Sequence, residues 1–315
     1  MTLRALYDLP APAKLNLFLH VLGRRADGYH LLQSAFVLID WADTLHIELR
    51  DDGLLKRHDL GEPLPAEDLC LRAARALQSA SACSLGADIS IDKQVPAGAG
   101  MGGGSSDAAT VLLGLNHLWR LNWPKARLQA IAVTLGADVP FFVDGYNALV
   151  EGIGERLTRV PWPPATYAVV KPPASVSTRE IFEQLNLGAL KPSDILVGSL
   201  EGASPEGVDG SELPAGWTPG FGTNHLQPAA EIRCPEVAQA ARLLAARYGN
   251  SRMTGSGSAV FARVGSDKSE QSKNSGKAGS PVAAFPAEEL DDLPKGWVGR
   301  VCRSLQQHPL ADWAG

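Results

Sequence analysis

Apolar and polar residues alternate along several short segments of the chain, and this alternation predicts β-strands. In residues 14–21, KLNLFLHV, every second residue is leucine or valine. Side chains at alternate positions of a strand share a face, so Lys14 and Asn16 are expected on the same side. The segments 31–39, LLQSAFVLI, and 44–49, TLHIEL, are predicted as two further strands of an antiparallel arrangement.

Other segments have the spacing of helices. Residues 67–80 carry apolar residues at helical intervals, and the apolar residues of segment 108–119 lie on one helical face. A helix is predicted from Lys125 to Leu135 and should end at Gly136, because glycine is common just after a helix. The chain is therefore predicted to combine strands with helices.

The length and composition are those of a globular protein with two lobes. The chain has 315 residues, of which 45% are hydrophobic and 20% charged, which is enough for a large core. Three prolines between residues 161 and 164 precede the strand-like segment 166–171, TYAVVK. We therefore predict an N-terminal domain of residues 1–163 and a C-terminal domain of residues 164–315.

The charge of the chain gives no general attraction to polyanions. With 34 acidic and 29 basic residues the net charge is −5, so the overall field favours neither nucleic acid nor an anionic membrane. The N-terminus lacks the apolar core of a signal peptide and no segment has the length of a membrane span, so a cytoplasmic protein is expected. The four cysteines form no C-x-x-C pair, which indicates neither a disulfide framework nor a zinc site.

The most informative segment is glycine-rich: residues 96–110 read PAGAGMGGGSSDAAT. Five of the seven residues 98–104 are glycine, a density that an ordinary helix or strand does not tolerate. Such a backbone can take positive φ, approach a ligand closely and turn successive amide groups toward an anion. The segment joins a predicted strand to a predicted helix, with Ser105 or Ser106 as the candidate N-cap and Asp107 in the first turn. We expect it to bind phosphate.

Known phosphate-binding loops differ from this one. A Walker A loop requires a lysine, and none lies in this loop or in the helix that follows. The dinucleotide fold needs an acidic residue about 20 residues after its glycines, and none lies between Asp107 and Asp138. A protein kinase loop would have valine at the position of Ser105. There remain a flexible linker and a wide loop around a nucleotide polyphosphate, with the Ser105 and Ser106 hydroxyl groups near its metal ion.

Four motifs together resemble those of the GHMP kinases, small-molecule kinases named for galactose, homoserine, mevalonate and phosphomevalonate. The glycine-rich segment resembles the second motif of this family, and PAKLNLFLHVLGRRADGYH, residues 12–30, resembles the first. LGADVPFF, residues 135–142, and TGSGSAVF, residues 254–261, are similar to the other signatures. The resemblance spans nearly the whole chain, with the motifs in the family's order.

The resemblance implies a two-lobe α+β fold, ATP as cosubstrate and Mg²⁺ as cofactor. The sequence DGYH at residues 27–30 is similar to that of members that phosphorylate the 2-hydroxyl of a cytidine-diphosphate-linked methylerythritol, in the non-mevalonate route to isoprenoids. The chain departs from the family in Met101, where leucine is usual, in His225, where aspartate is usual, and in the segment 265–280. The second departure concerns a contact of the C-terminal lobe.

The resemblance also implies roles for individual residues. Asp138 would be the general base, and the Lys14 ammonium would lie beside it and stabilise the forming alkoxide. Judged from the residues alone, Asp138 could equally cap a short turn at Pro140, and a strand lysine is usually solvated. The metal ligands remain unknown. The nucleotide is expected to contact Pro96, Ala97, Gly98, Ala99, Gly100, Met101, Gly102, Gly103, Gly104, Ser105 and Ser106.

The cytidine-linked substrate is expected on the other side of the cleft. The resemblance assigns Tyr29 and His30 to the cytosine and Phe182 to its second face. It places Thr178 near the acceptor and gives Asn16 a contact with the substrate. Without the resemblance, an aromatic residue in a turn more often serves in packing. Two alternatives remain: another GHMP kinase acting on homoserine or a sugar, and a non-catalytic nucleotide-binding protein.

The segment 265–280, GSDKSEQSKNSGKAGS, is polar and poor in core-forming residues, which is typical of a disordered surface insertion. Replacing residues 266–279 by a short Gly/Ser link should change the free energy of unfolding by less than about 1 kcal/mol, because loop-closure entropy varies slowly with length. Chemical denaturation of both proteins measures the change. Loss of cooperative unfolding in the shortened protein would mean that the segment is structured.

Overall fold

The computed structural model describes residues 3–185, 212–265, 290 and 292–314. Two sheets organise these residues, one of six strands and one of four, and helices pack against both. The predicted insertion lies outside the described residues except for Gly265. Within the described ranges, no helix combines the length and the apolar character needed to cross a membrane.

The six-stranded sheet belongs to the first half of the chain. Its strands are β1 (Ala5–Arg24), β2 (His30–Arg50), β3 (Leu55–Asp59), β4 (Gly86–Asp92), β5 (Ala148–Gly152) and β6 (Arg156–Arg159). They run in the order β3-β4-β2-β5-β6, and β1 pairs antiparallel with β2. The β1–β2 pair is therefore the centre of the lobe.

The strand predicted at residues 14–21 is confirmed, since it lies within β1. The prediction of two separate strands at 31–39 and 44–49 is wrong, because β2 is one continuous strand. Its two halves have different partners: residues 32–36 pair with β5, and residues 44–50 pair with β4. β1 follows both halves through four irregularities in register, and such bulges bend a long strand without ending it.

Four helices pack on one face of this sheet: α1 (Leu69–Ser81), α2 (Gly103–Leu118), α3 (Lys125–Leu135) and α4 (Val139–Asp144). The helices predicted at 67–80 and 125–135 are confirmed, although the first begins at Leu69 with Asp68 as its N-cap. α2 is buried on almost all sides, in contact with the sheet, α1 and α4. It is the central helix of the first lobe.

The start of α2 differs from the prediction. Its N-cap is Gly102, with a φ of 73°, and no side chain in the described part of the chain caps its first amide groups. Ser105 and Ser106 lie inside the helix, and the Ser106 hydroxyl donates to the Pro12 carbonyl at 2.7 Å. Asp107 lies beyond the first turn. The predicted caps are wrong because glycine supplies the positive φ at which the loop enters the helix.

The second half of the chain forms the four-stranded sheet. Its strands are β7 (Thr166–Lys171), β8 (Arg252–Met253), β9 (Val260–Val264) and β10 (Val298–Arg303). They pair antiparallel in the order β10-β7-β9-β8, which confirms the strand predicted at 166–171. The helices of this lobe are α5 (Thr178–Glu183), α6 (Gln227–Arg233) and α7 (Pro235–Tyr248).

The two lobes share apolar contacts. The faces of β1 and β2 that point away from the helices pack against side chains of β7 and β9. After β10 the chain returns to the first lobe, where Ser304 bridges to Ile39 and Gln307 bridges to Tyr146. The last residues therefore belong to both lobes in space, and the boundary after residue 163 stays a prediction.

The returning segment contains a histidine whose ionisation is linked to folding. His308 is fully buried, and its Nδ1 accepts a hydrogen bond from the Leu310 amide group at 3.0 Å. Burial, together with the nearby Lys125 ammonium, lowers the pKa of His308 from an ordinary 6.5 to about 4. The folded protein therefore keeps this imidazole neutral over a range in which the unfolded chain takes up a proton.

The stabilising effect of neutral His308 should be complete above about pH 6.5 and should be lost as the pH falls to about 4. The His308→Asn variant retains an acceptor for the Leu310 amide but does not titrate. In denaturation experiments between about pH 7 and about pH 4, the unmutated protein should lose up to about 3 kcal/mol more than the variant. Equal losses in the two proteins would contradict this linkage.

Candidate active site

A cleft of about 780 Å³ is lined by residues of both lobes. Its walls come from β1, β2, the glycine-rich loop, the residues before α4, α5 and the turn after β8. All the residues predicted for catalysis and for substrate binding line it: Lys14, Asn16, Tyr29, His30, Asp138, Thr178 and Phe182. The fold thus collects in one cavity side chains that are far apart in the chain.

A second cavity, of about 420 Å³, lies against the glycine-rich loop and is lined by all of residues 96–105. Gly98, Gly100 and Gly102 line both cavities, so the two spaces meet at these glycines. Ser106 differs from the prediction. It is fully buried, and its hydroxyl is bonded to β1 rather than presented to a metal ion.

The glycine-rich loop needs glycine at defined positions. Gly98, Gly100 and Gly102 have φ values of 62°, 74° and 73°, a region that residues with side chains rarely adopt. At Gly100, a Cβ would also lie 2.3 Å from the Thr254 carbonyl oxygen. Similarly, a Cβ at Gly255 would lie 2.7 Å from the Gly100 carbonyl oxygen. The loops of the two lobes therefore touch through their backbones.

Hydrogen bonds hold the loop from both sides. The Ser258 amide donates to the Gly98 carbonyl at 3.2 Å, and the Lys14 amide donates to the Met101 carbonyl at 2.9 Å. The Met101 side chain is buried in the shared core, a position where methionine and leucine substitute easily. With its carbonyls used in this way and α2 starting directly behind it, the loop can direct amide groups and a positive helix end toward an anion.

Lys14 and Asp138 form an ion pair in the cleft. The Lys14 Nζ lies 3.5 Å from the Asp138 Oδ2 and 4.4 Å from the centroid of the Phe36 ring. Lys14 is only 3% exposed, and burial lowers its pKa, although the Asp138 carboxylate opposes this shift. Asp138 precedes α4, but its side chain accepts no capping hydrogen bond from the described helix. The carboxylate instead lines the cleft.

Asn16 connects this ion pair to both lobes. Its Oδ1 accepts a hydrogen bond from the Lys14 Nζ at 2.5 Å, and its backbone amide donates to the Thr254 Oγ1 at 2.9 Å. Its Nδ2 donates to the Ser34 Oγ at 2.8 Å. Neither hydroxyl is predicted from the sequence. Thr254 opens the TGSGSAVF motif, which was a usable signal, whereas nothing in the strand pattern marks Ser34.

Aromatic side chains form the other end of the cleft. The rings of His30 and Phe182 stack with centroids 4.9 Å apart and an interplanar angle of 27°. Burial, with a contribution from the charge of Arg24, lowers the pKa of His30 and so favours its neutral form. Tyr29 is 60% exposed at the rim. This end can offer ring faces and a hydrogen-bonding imidazole to a planar ligand.

Polar groups that the sequence did not single out also line the cleft. Arg24 is the last residue of β1, close to the turn of residues 26–28, and Arg179 pairs with Glu183 at 2.9 Å. The Thr178 hydroxyl lies 2.6 Å from the hydroxyl of Ser256, which belongs to the turn after β8. Arg24 could not be recognised as a candidate ligand-binding residue from the sequence, because only the fold places its turn at the cleft.

His225 docks the second lobe onto β1. Its amide donates to the Leu19 carbonyl at 2.8 Å, and its Nδ1 accepts from the Val21 amide at 3.0 Å. The ring also stacks on His20, with centroids 4.8 Å apart. The imidazole at this position therefore makes a contact between the lobes.

Lys93 lies between two aspartates behind the glycine-rich loop. Its Nζ is 2.5 Å from the Asp107 Oδ2 and is also bonded to Asp43. Burial raises the pKa of Asp107 well above its usual range, and Lys93 opposes the shift. Asp43 also accepts from the Gln94 and Val95 amides, at 2.6 and 2.7 Å. Asp107 thus joins α2 to the chain entering the loop. The prediction that it complements the positive helix end from the first turn is wrong.

Comparison with known proteins agrees with this architecture. The family model described as the GHMP kinases N terminal domain matches residues 68–146, and that described as GHMP kinases C terminal matches residues 215–278. A homoserine kinase from Cytophaga hutchinsonii, 17% identical with a TM-score of 0.59, covers 86% of this chain and 88% of its own. At that identity the likeness shows the fold alone.

More similar proteins share one name. The 4-diphosphocytidyl-2-C-methyl-D-erythritol kinase of Methylibium petroleiphilum is 56% identical over 100% of both chains, and that of Variovorax paradoxus is 51% identical over 99% of this chain and 100% of its own. A crystal structure of a 4-(cytidine 5'-diphospho)-2C-methyl-D-erythritol kinase, 35% identical with a TM-score of 0.66, covers 82% of this chain and 90% of its own. The chain therefore belongs to the GHMP family of small-molecule kinases, in the group of the 4-diphosphocytidyl-2-C-methyl-D-erythritol kinases.

Proposed function

We propose that this kinase transfers the γ-phosphoryl group of ATP to the 2-hydroxyl group of 4-diphosphocytidyl-2-C-methyl-D-erythritol. The names of its relatives suggest the acceptor. The geometry that carries the proposal is the Lys14–Asp138 ion pair. The pair lines the substrate cleft together with three glycines that also line the second cavity. An acceptor hydroxyl there would meet a base, a cation and the donor phosphates in one space.

The phosphates of ATP are proposed to bind at the glycine-rich loop and the start of α2. The positive φ values of Gly98, Gly100 and Gly102 shape the loop for close approach, and the uncapped helix start attracts negative charge. The cavity of about 420 Å³ on that side gives room for the nucleoside. The γ-phosphoryl group would then reach the substrate cleft past the glycines that line both cavities.

Asp138 and Lys14 are proposed to divide the chemistry between them. As the 2-hydroxyl oxygen attacks the γ-phosphorus, its proton passes to the Asp138 carboxylate and ADP leaves with the bridging oxygen. The Lys14 ammonium stabilises the negative charge on the attacking oxygen, and its burial limits screening by water. Phosphoryl transfer depends mainly on such positioning and charge neutralisation.

A magnesium ion is proposed to accompany ATP. Among the residues that the structure describes, no cluster of three or more His, Cys, Asp or Glu residues could hold a metal ion. Ser105, which lines the nucleotide side, offers a hydroxyl oxygen of the kind that magnesium binds. When bound, the ion would neutralise charge on the phosphates.

The cytosine is proposed to bind between Tyr29 and Phe182, with His30 hydrogen-bonded to its edge. Phe182 already stacks on His30, so the base would use ring surface that remains open to the cleft. The neutral form of His30, favoured by burial, has one donor and one acceptor nitrogen. If its acceptor nitrogen faces the base, it accepts a hydrogen bond from the cytosine amino group and cannot pair with the uracil carbonyl group at that place.

Replacing the proposed base tests the assignment of the chemistry. Asp138→Asn should lower kcat by about 10²–10⁴-fold, the usual effect of losing a positioned base, while ATP still binds. Steady-state kinetics and calorimetric titration with an ATP analogue measure the two effects. Asp144→Asn is a matched control, since Asp144 lies at the end of α4 and pairs with Arg159 at 2.8 Å. A near-normal kcat in Asp138→Asn would overturn the assignment.

Competition between pyrimidine nucleotides tests the acceptor. The unmutated protein should prefer cytidine diphosphate over uridine diphosphate, by up to about 10⁴–10⁵-fold, because the wrong base leaves buried polar groups unpaired. His30→Ala should reduce this preference, and Tyr29→Ala should weaken both ligands together. Inhibition of the phosphorylation reaction measures each affinity.

Tyr7→Ala is the control for Tyr29→Ala. Tyr7 is 59% exposed, as Tyr29 is 60% exposed, but it lies near the start of β1 and pairs with Glu48. Its removal should change neither affinity. Equal inhibition of the unmutated protein by the two nucleotides would contradict the cytidine pocket and would indicate a GHMP kinase with a different acceptor.

A further inference from the structure

Ser34 lies in the middle of the first sheet, behind the cleft. In β2 it pairs with Leu19 of β1 and with Val150 of β5. It is fully buried and lies outside the described lining of the cleft. A hydroxyl buried in this way must place both its proton and its lone pairs among protein groups.

The partners of Ser34 determine the direction of its hydrogen bonds. Its Oγ lies 2.5 Å from the Phe18 carbonyl oxygen and 2.8 Å from the Asn16 Nδ2. A carbonyl oxygen only accepts, so the single hydroxyl proton goes to Phe18. The lone pairs of the hydroxyl then face Asn16 and require a donor there. Asn16 must therefore turn its amino group toward Ser34.

The orientation of the Asn16 amide determines which of its atoms faces the Lys14 ammonium. With the amino group of Asn16 at Ser34, its Oδ1 faces Lys14 and accepts the ammonium proton at 2.5 Å. The opposite orientation would point amide hydrogens at the ammonium and remove its shortest hydrogen bond. Thr254 does not select between the two, because its hydroxyl, 3.4 Å from the Asn16 Oδ1, can donate or accept.

We propose that Ser34 is a positioning residue for phosphoryl transfer: its hydroxyl fixes the amide orientation of Asn16, and so holds the Lys14 ammonium beside Asp138. This inference rests on the proposed function of Lys14 and Asp138. Ser34 touches neither substrate nor phosphate in this scheme. Its effect on the reaction passes through Asn16 alone.

Three variants test the proposal by kinetics. Ser34→Ala should lower kcat roughly 10- to 100-fold, as a small displacement of a catalytic group does, and leave KM for both substrates within about threefold. Ser34→Thr keeps the hydroxyl and should restore most of kcat. Thr110→Val is the matched control, since it removes a buried hydroxyl that donates to the Pro10 carbonyl at 3.3 Å, and its kcat should stay near normal. An unchanged kcat in Ser34→Ala would overturn the proposal.

A double-mutant cycle separates positioning from a general structural effect. In an Asn16→Ala background, Ser34→Ala should cause no further loss of kcat, because the residue through which it acts is gone. Independent, multiplying losses would contradict the proposal. The dependence of kcat on pH gives a further test. In Ser34→Ala the alkaline limb should move to lower pH, because a reversed Asn16 amide points its hydrogens at the Lys14 ammonium and favours its deprotonation. The charged group that faces Lys14 is Asp138. A purely structural loss would leave the limb in place.

The ionisation of Lys14 can be followed without turnover. Nitrogen-15 NMR of the lysine side chains, assigned with a Lys14→Arg variant, should show a lower pKa for Lys14 in Ser34→Ala than in the unmutated protein and in Ser34→Thr. The same pKa in all three would overturn the positioning role. If the unmutated protein failed to phosphorylate the cytidine-linked acceptor, the proposed function would fall, and this measurement would still decide the role of Ser34.

Discussion

The contact between the two glycine-containing loops is the constraint on which the rest of the site depends. Gly100 and Gly255 approach so closely that a side chain on either would meet the backbone of the other loop. The first loop follows the six-stranded sheet, and the second belongs to the four-stranded sheet. Their contact therefore fixes the spacing between the proposed phosphate side and acceptor side, and a substituent there would force the two lobes apart.

Because the two lobes pack together, the strand that carries Lys14 is buried. Helices cover one face of β1 and the second lobe covers the other, so β1 is buried on both faces. An ammonium group in such a strand loses its hydration, which is costly unless partners replace the water. Asn16 and Asp138 supply those partners. These partners hold the positive charge beside Asp138, where the proposed reaction develops negative charge.

The shared wall between the two cavities explains how so few reactive side chains suffice. Gly98, Gly100 and Gly102 line both spaces, so no side chain thickens the wall at these positions. In the proposed reaction, donor and acceptor groups on either side would therefore come within reaction distance. Most of the catalytic effect would then come from position and electrostatics rather than from covalent chemistry by the protein.

The sequence by itself determined most local elements of this protein and the backbone character of its glycine-rich loop. Alternation identified the strand containing Lys14, helical spacing identified α3 with its end at Gly136, and glycine density identified a loop with positive φ values. These features could be predicted because each depends on the backbone preferences of neighbouring residues. The same local reasoning failed at Ser105 and Ser106, because Gly102 supplies the positive φ at the helix start. It also failed at β2, where pairing with β1, β4 and β5 carries one strand through both predicted segments.

Only the tertiary structure decided how distant residues combine. It set the distance from Lys14 to Asp138, the stacking of His30 on Phe182 and the presence of Ser34 behind Asn16. Periodicity along the chain gives a residue's face but not which remote segment covers that face. That choice depends on the packing of both lobes at once, because a buried lysine or hydroxyl acquires its pKa and its hydrogen bonds from neighbours that the fold alone brings to it.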